Sequence, residues 1–284
     1  EFGGAHIRDA FVQSLSQKGN LKLDERSHEP CVLYLNGQYW GVYELREKVD
    51  DHDFTDYYYN QGEYDIDFIK TWGGTWADYG TINDWNTLYN FITTNDMSVQ
   101  ANYDNMDSLL NWKSLVDYVC LNSYSVCKDW LNWNTCWWRG RNPNGDKKKW
   151  RYALWDMDAV FGHYVNYTGI PDESMNANPC DPETLTDFSD PEGHMQILAA
   201  LMANPEVEQY YISRYIDLGN TLFSCEVMIN HLDSLVGLID PEMTQHCSRW
   251  GGSYNGWLSN VQAFRDSINK RCVGSFIQKC SGIP

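Results

Sequence analysis

The chain has 284 residues, 43% of them hydrophobic and 21% charged, with a formal net charge of -18, which is enough apolar material for one large domain or two lobes with a real core. Such acidity argues against a protein that grips nucleic acid by neutralising phosphates, because that needs a basic face. No run of eighteen or more apolar residues occurs, so no segment reads as a membrane span.

In chain order, Ala5 to Leu15 comes first, where Ile7, Ala10, Phe11 and Leu15 fall on one side at helical spacing. Cys31 to Arg46 follows as two β-rich runs around Asn36-Gly37, a hairpin signal. Trp85, Leu88, Phe91 and Ile92, and then Leu109, Trp112, Leu115, Val116 and Val119, predict two helices after the hairpin. A second strand pair is expected at Thr135 to Arg141 and Lys149 to Trp155, across the turn Asn142-Pro143-Asn144-Gly145. Beyond a polar stretch from Gly169 to Glu192, helices are expected over 195–202, 207–222, 225–238 and 257–272. Gly73-Gly74 and Gly251-Gly252 read as turns rather than phosphate loops. The fold class is therefore α+β, a small β-containing part over residues 1–72 leading a larger helical part over 73–284.

Nine cysteines stand at 31, 120, 127, 136, 180, 225, 247, 272 and 280, without a CxxC pair or zinc-ligand spacing. Disulfides in an oxidising compartment, and so a secreted or surface location, are the better reading. An odd count leaves at least one thiol unpaired, and local loop closure suggests Cys225 with Cys247 and Cys272 with Cys280. The first residue is Glu1 and no charged-then-apolar leader follows, so the sequence reads as a processed or partial chain. Asn166-Tyr167-Thr168 has the pattern of a glycosylation acceptor.

The chemistry-bearing residues lie mid-chain: a long helix, then Asp129-x-x-x-x-Asn134, a strand pair, and Trp155-Asp156-Met157-Asp158 through Phe161-Gly162. Alternation along a strand would put the Asp156 and Asp158 carboxylates on one face and Trp155 and Met157 on the other. An EF-hand does not fit, because Val160 takes the third ligand position and the glycine comes one residue late. A sugar-binding protein or a two-carboxylate glycosidase is the competing reading, given thirteen Trp and nineteen Tyr. Most of these rings, such as Trp85, Trp112 and Trp257, fall at core spacing, so little polysaccharide affinity is expected. The seven His are scattered, and HExxH, GxSxG, GxGxxG and Walker patterns are all missing.

The order of those parts is that of a protein-kinase C-lobe, in which an Asp takes the hydroxyl proton and an Asn and a second Asp hold metal against the ATP phosphates. Asp129 lacks a preceding His-Arg, and its distance to Asp156 is longer than in ordinary kinases. The hairpin string Leu35 to Asp50, the Asp129 to Asn134 segment with Trp137-Trp138-Arg139, the Trp155 to Gly162 segment and Arg8-Asp9 together resemble the CotH (spore coat protein H-like) kinase family, in the family's order. The resemblance implies an atypical, two-lobed kinase-like fold with ATP and Mg²⁺ or Mn²⁺, acting on Ser or Thr of an extracellular protein in a spore coat or polysaccharide-degrading assembly. It implies Asp129 as catalytic Asp and Asn134, Asp156 and Asp158 as metal-site residues. Asp156 would also serve the nucleotide phosphates, and Glu44 and Glu47 would lie near the adenine. The small lobe reads as truncated, with no phosphate-gripping basic residue assigned and Lys22, Lys48 and Lys70 placed at the surface. An inactive interaction module is the alternative that this departure raises.

Overall fold

The computed structural model describes residues 4–178 and 189–273. It mixes helix and strand as the sequence implies, in the order α1 (Arg8–Lys18), β1 (His28–Leu35), β2 (Gln38–Arg46), α2 (His52–Tyr59), β3 (Ile66–Thr71), β4 (Thr75–Tyr79), α3 (Asn83–Thr94), α4 (Gln100–Leu109), α5 (Trp112–Ser125), β5 (Thr135–Gly140), β6 (Arg151–Leu154), α6 (His194–Leu201), α7 (Pro205–Asn220), α8 (Cys225–Trp250) and α9 (Tyr254–Val273).

The hairpin β1–β2 turns at Asn36-Gly37, both at positive φ as a tight two-residue hairpin turn demands. Its second strand rests on α8. The indole of Trp250 donates to the Trp40 carbonyl at 2.7 Å, and His246 Nδ1 accepts from the Val42 amide at 3.0 Å. Gly41 makes this approach possible, since a Cβ there would stand 2.8 Å from the Trp250 ring nitrogen.

A four-stranded antiparallel sheet runs in the order β4-β3-β5-β6. Ile69, Trp137, Tyr152 and Leu154 belong to the large core shared with α3, α5 and the later helices, whereas Ile66, Phe68, Cys136, Trp138 and Ala153 pack with Val49 in a second, smaller cluster. Both faces are covered, so the alternating pattern of a half-wet strand does not develop. Sequence reasoning missed β3 for this reason and because Asp67 and Lys70 interrupt it. Each charge has a partner: Arg139 donates to Asp67 at 2.9 Å, and Lys70 pairs with Asp50 at 2.8 Å and with Asp78. Lys70 is therefore buried rather than at the surface. Gly73-Gly74 is the β3–β4 turn, as expected, so the sequence boundary at residue 72 falls inside this hairpin.

The helix expected to end at Leu238 continues to Trp250 through Pro241. Its buried stripe of Leu232, Leu235, Ile239, Met243 and Cys247 carries on past the proline, and burial outweighs the one lost backbone bond. That continuity corrects the disulfide expectation. Cys225 and Cys247 lie on one unbroken helix about 33 Å apart at 1.5 Å per residue, so they cannot bond. Cys225 instead joins Cys272, clamping the start of α8 to the end of α9. Cys272 is thereby unavailable to Cys280, which lies outside the described residues. Among the described residues Cys31, Cys120, Cys127, Cys136 and Cys247 are free thiols. Non-reducing peptide mapping should recover a Cys225–Cys272 linked pair, and Cys272→Ser should lower stability by roughly 2–4 kcal/mol. Recovery of Cys225 linked to Cys247 would contradict the helix.

Candidate active site

Asp129 sits in the loop between α5 and β5, which is fixed by hydrogen bonds and by the burial of Cys127, Trp130 and Leu131 in the large core. Val126 ends α5 at positive φ, a strained conformation for a β-branched residue, and Leu131 and Asn134 also have positive φ. The Lys128 amide donates to Ala159 O at 2.9 Å and Thr168 N donates to Lys128 O at 3.0 Å. The Thr168 hydroxyl donates to Trp130 O and accepts from Trp130 N. Leu131 N donates to Thr135 Oγ1 at 2.8 Å. With the loop so held, Asn134 Nδ2 donates to Asp129 Oδ2 at 2.7 Å. Asp129 Oδ1 is buried and has no hydrogen-bond partner among the described residues.

The second acidic segment, residues 155–161, leaves the end of β6 as a loop and is clasped by α1. Gln13 donates to Trp155 O at 3.2 Å, Asp9 Oδ1 accepts from Met157 N at 2.6 Å, and Arg8 donates to Val160 O at 3.0 Å. On the other side Phe161 N donates to Ser125 O at 2.8 Å, tying this loop to the end of α5. Asp156 and Asp158 consequently line one cavity of about 360 Å³ together with Arg8, Asp9, Glu44 and Arg46. Met157 is buried away from it. The shared face that strand alternation suggested is thus present, although a clasped loop produces it.

The electrostatics follow from crowded acid groups. Burial, then the Asp156 charge, raise Asp129 to about 6 against the opposing Asn134 hydrogen bond. Asp156 is exposed toward the cavity, yet the surrounding protein, then Asp158 and Asp9, also raise it to about 6, with Arg26 and Arg46 acting in the opposite direction. Hard oxygen donors that repel one another, one of them an orphaned buried oxygen, suit a divalent cation such as Mg²⁺ or Mn²⁺. Asn134 on one loop and Asp156 with Asp158 on the other are the residues that could hold it, with Asp129 bonded to Asn134 beside them. These carboxylates do not close to mutual ligand spacing by themselves; among the described residues the acidic and His groups that do are Asp51, His52 and Asp53 at the start of α2.

Of the two residues expected near the adenine, Glu44 lines the cavity and bonds Arg46, whereas Glu47 is turned to Ser27 N and the Tyr58 hydroxyl. Sequence reasoning missed the cations. Arg46 bridges Asp9 and Glu44, and Arg26 reaches Asp50, which also holds Lys70. The available signal lay in α1, where Arg8, Asp9 and Gln13 are polar residues on a helix buried nearly all round.

A folded-state pKa above the ordinary 3.8 means that each carboxylate opposes folding once ionised. The opposition is absent below about pH 4, grows between about 4 and 6, and is complete above. Asp129→Asn should therefore raise the Tm of the metal-free protein at about pH 7.5 and change it little at about pH 4. A Tm lowered at the higher pH would contradict this electrostatic account.

A family model described as CotH kinase protein matches residues 4–273, while no curated protein matches the chain. The match takes in α1, the hairpin, both acidic loops and the helices behind them. The chain belongs to the CotH kinase family.

Proposed function

We propose that the chain is a two-lobed, kinase-like phosphotransferase that uses ATP with Mg²⁺ or Mn²⁺ and passes phosphate to a Ser or Thr hydroxyl of an extracellular protein. The single observation that carries the reading is the pairing of Asp129, hydrogen-bonded to Asn134, with Asp156 across two loops fixed to each other through Lys128–Ala159 and Ser125–Phe161. Asp129 accepts the hydroxyl proton; a pKa near 6 keeps it mostly ionised at neutral pH and basic enough for that role. Asn134 and Asp156, with Asp158 beside them, hold the cation. When bound, the cation supplies charge neutralisation for the phosphates, the main requirement of phosphoryl transfer.

Asp9 and Arg46 support the same reading from behind. They fix the Met157 amide and the end of β2, which sets where Asp156 stands and where Glu44 meets the cavity. Secretion fits the Cys225–Cys272 bond, which needs an oxidising compartment, and no single helix among the described residues is long and apolar enough to cross a membrane. An interaction module without catalysis would keep the loops and lose the transfer.

Asp156→Ala should abolish metal-dependent ATP binding, since the triphosphate would then face Asp129 and Asp158 without full neutralisation. Asp129→Ala should leave ATP affinity nearly intact and lower kcat by roughly 100-fold or more. Calorimetry with ATP and Mn²⁺, beside phosphate transfer to a generic acceptor protein, reads both. Wild type that binds no nucleotide with either metal contradicts the proposal, and binding without transfer selects the inactive module.

A further inference from the structure

The aromatic residues divide sharply on folding. Trp85, Trp112, Trp130, Trp137, Trp138 and Trp150 are buried, as core spacing implies, but Trp72, Tyr164 and Tyr167 remain 59%, 51% and 45% exposed. These three are not scattered. With Trp133 they form one continuous row, Trp72 to Trp133 to Tyr167 to Tyr164, with successive ring centroids 5.2, 5.4 and 5.9 Å apart. Adjoining exposed aromatic rings are disfavoured in water unless something covers them.

The row is rigid and attached to the acidic site. Gly73 N donates to Asn132 O at 2.9 Å, and the Trp133 ring lies directly over Gly73, where a Cβ would be 2.8 Å from it. Asn132 Nδ2 donates to Tyr167 O at 3.0 Å. Trp133 directly precedes Asn134, and Tyr167 directly precedes Thr168, whose hydroxyl is bonded to Trp130 beside Asp129. At the other end, Tyr167 first, then burial, then the charges of Asp158, Asp129 and Asp156 raise the Tyr164 phenol. A ligand lying along the row therefore lies beside the loop that carries Asp129 and Asn134.

Charge narrows the occupant. The cation bonded beside the row, Lys128, is taken up by Glu173 at 3.0 Å, and a chain of net charge -18 repels polyanions, so a phosphopeptide, nucleic acid or anionic lipid does not fit. The same net charge would attract a Lys- or Arg-rich peptide, but the carboxylate beside the row, Glu173, is already held by Lys128 and Asn166, and the heptapeptide in the test below reads that alternative. The rings are tilted, by 89° between Trp72 and Trp133 and by 50° at each of the next two steps. What matches such a twisted row without a charge of its own is a chain that twists along its length, with C–H faces, hydroxyl edges and no charge. We propose that Trp72, Trp133, Tyr167 and Tyr164 form a binding site for an uncharged saccharide chain, which the row leads toward Asp129 and Asn134. The site stands independently of the phosphotransfer reading. If both hold, the acceptor protein is one that carries or lies on such a glycan.

The test titrates the full chain with cellohexaose, xylohexaose and mannohexaose by calorimetry and tryptophan fluorescence, beside ATP with Mn²⁺ and an uncapped Arg/Ser heptapeptide. At least one hexasaccharide should bind wild type. Trp72→Ala combined with Tyr167→Ala should weaken it by about tenfold or more, whereas Tyr64→Ala, which removes a ring 84% exposed outside the row, should leave it unchanged. Because the side chains removed at the row are about half exposed, thermal melts will show whether both variants remain folded. No binding of any hexasaccharide, an equal loss in Tyr64→Ala, or row-dependent binding of the heptapeptide alone would each overturn the saccharide site. The ATP titration decides the phosphotransfer reading separately: saccharide binding without nucleotide binding would leave the row standing and remove the kinase, and the reverse would do the opposite.

Discussion

Like charge confined at short range is the constraint around which this molecule is arranged. Asp129 and Asp156 each sit where burial and neighbouring acid groups resist ionisation, and neither loop that carries them has regular secondary structure to hold it there. Left alone, such loops would relax apart. They are prevented by backbone bonds that cross from one loop to the other and by polar side chains of α1 that occupy the amides and carbonyls of residues 155–160. Strain at Val126, Leu131 and Asn134 is of the same kind, local unfavourable geometry sustained by surroundings that over-determine it.

Scaffold and site therefore share residues. Phe11 of α1 packs edge-on against Phe161 and Phe264, so the helix that clasps the acidic loop is itself seated in the large core against α9. On the opposite side the sheet carries Lys70 under Trp155, with its ammonium 5.3 Å from the indole centroid. Asp50 links that lysine to Arg26, one of the two cations that temper Asp156. A charge network thus runs from the centre of the sheet through Asp50 to Arg26.

The hairpin, its Asn36-Gly37 turn and all four C-terminal helices are legible in the sequence because each rests on local rules, turn chemistry and periodicity, whereas the two acidic segments stand out through the family resemblance rather than through their spacing. What was not legible depends on distant partners. Strand β3 hides its nature because both faces are buried and its charges are neutralised by Asp50, Asp78 and Arg139 from elsewhere in the chain. The full length of α8 is not legible from local periodicity, because its last turns, on the far side of Pro241, are held by tertiary burial. Cys225 was paired with a neighbour in sequence when the fold supplies Cys272 on another helix. Glu44 and Glu47, similar on paper, separate because Glu44 lies on β2 and lines the cavity while Glu47, just past the strand's end, meets Tyr58. The aromatic row was invisible for the same reason, since Trp72, Trp133 and Tyr167 are remote in sequence and meet only across a glycine turn.

The central claim is that the two acidic loops are held together to share a cation. The most direct measurement is anomalous diffraction at the manganese edge from crystals grown with Mn²⁺ and ATP. The account predicts an anomalous peak between the loops, with the Asp156 carboxylate and the Asn134 side-chain oxygen at bonding distance, roughly 2 Å. A peak confined to Asp51, His52 and Asp53, or none near Asp156, would contradict it.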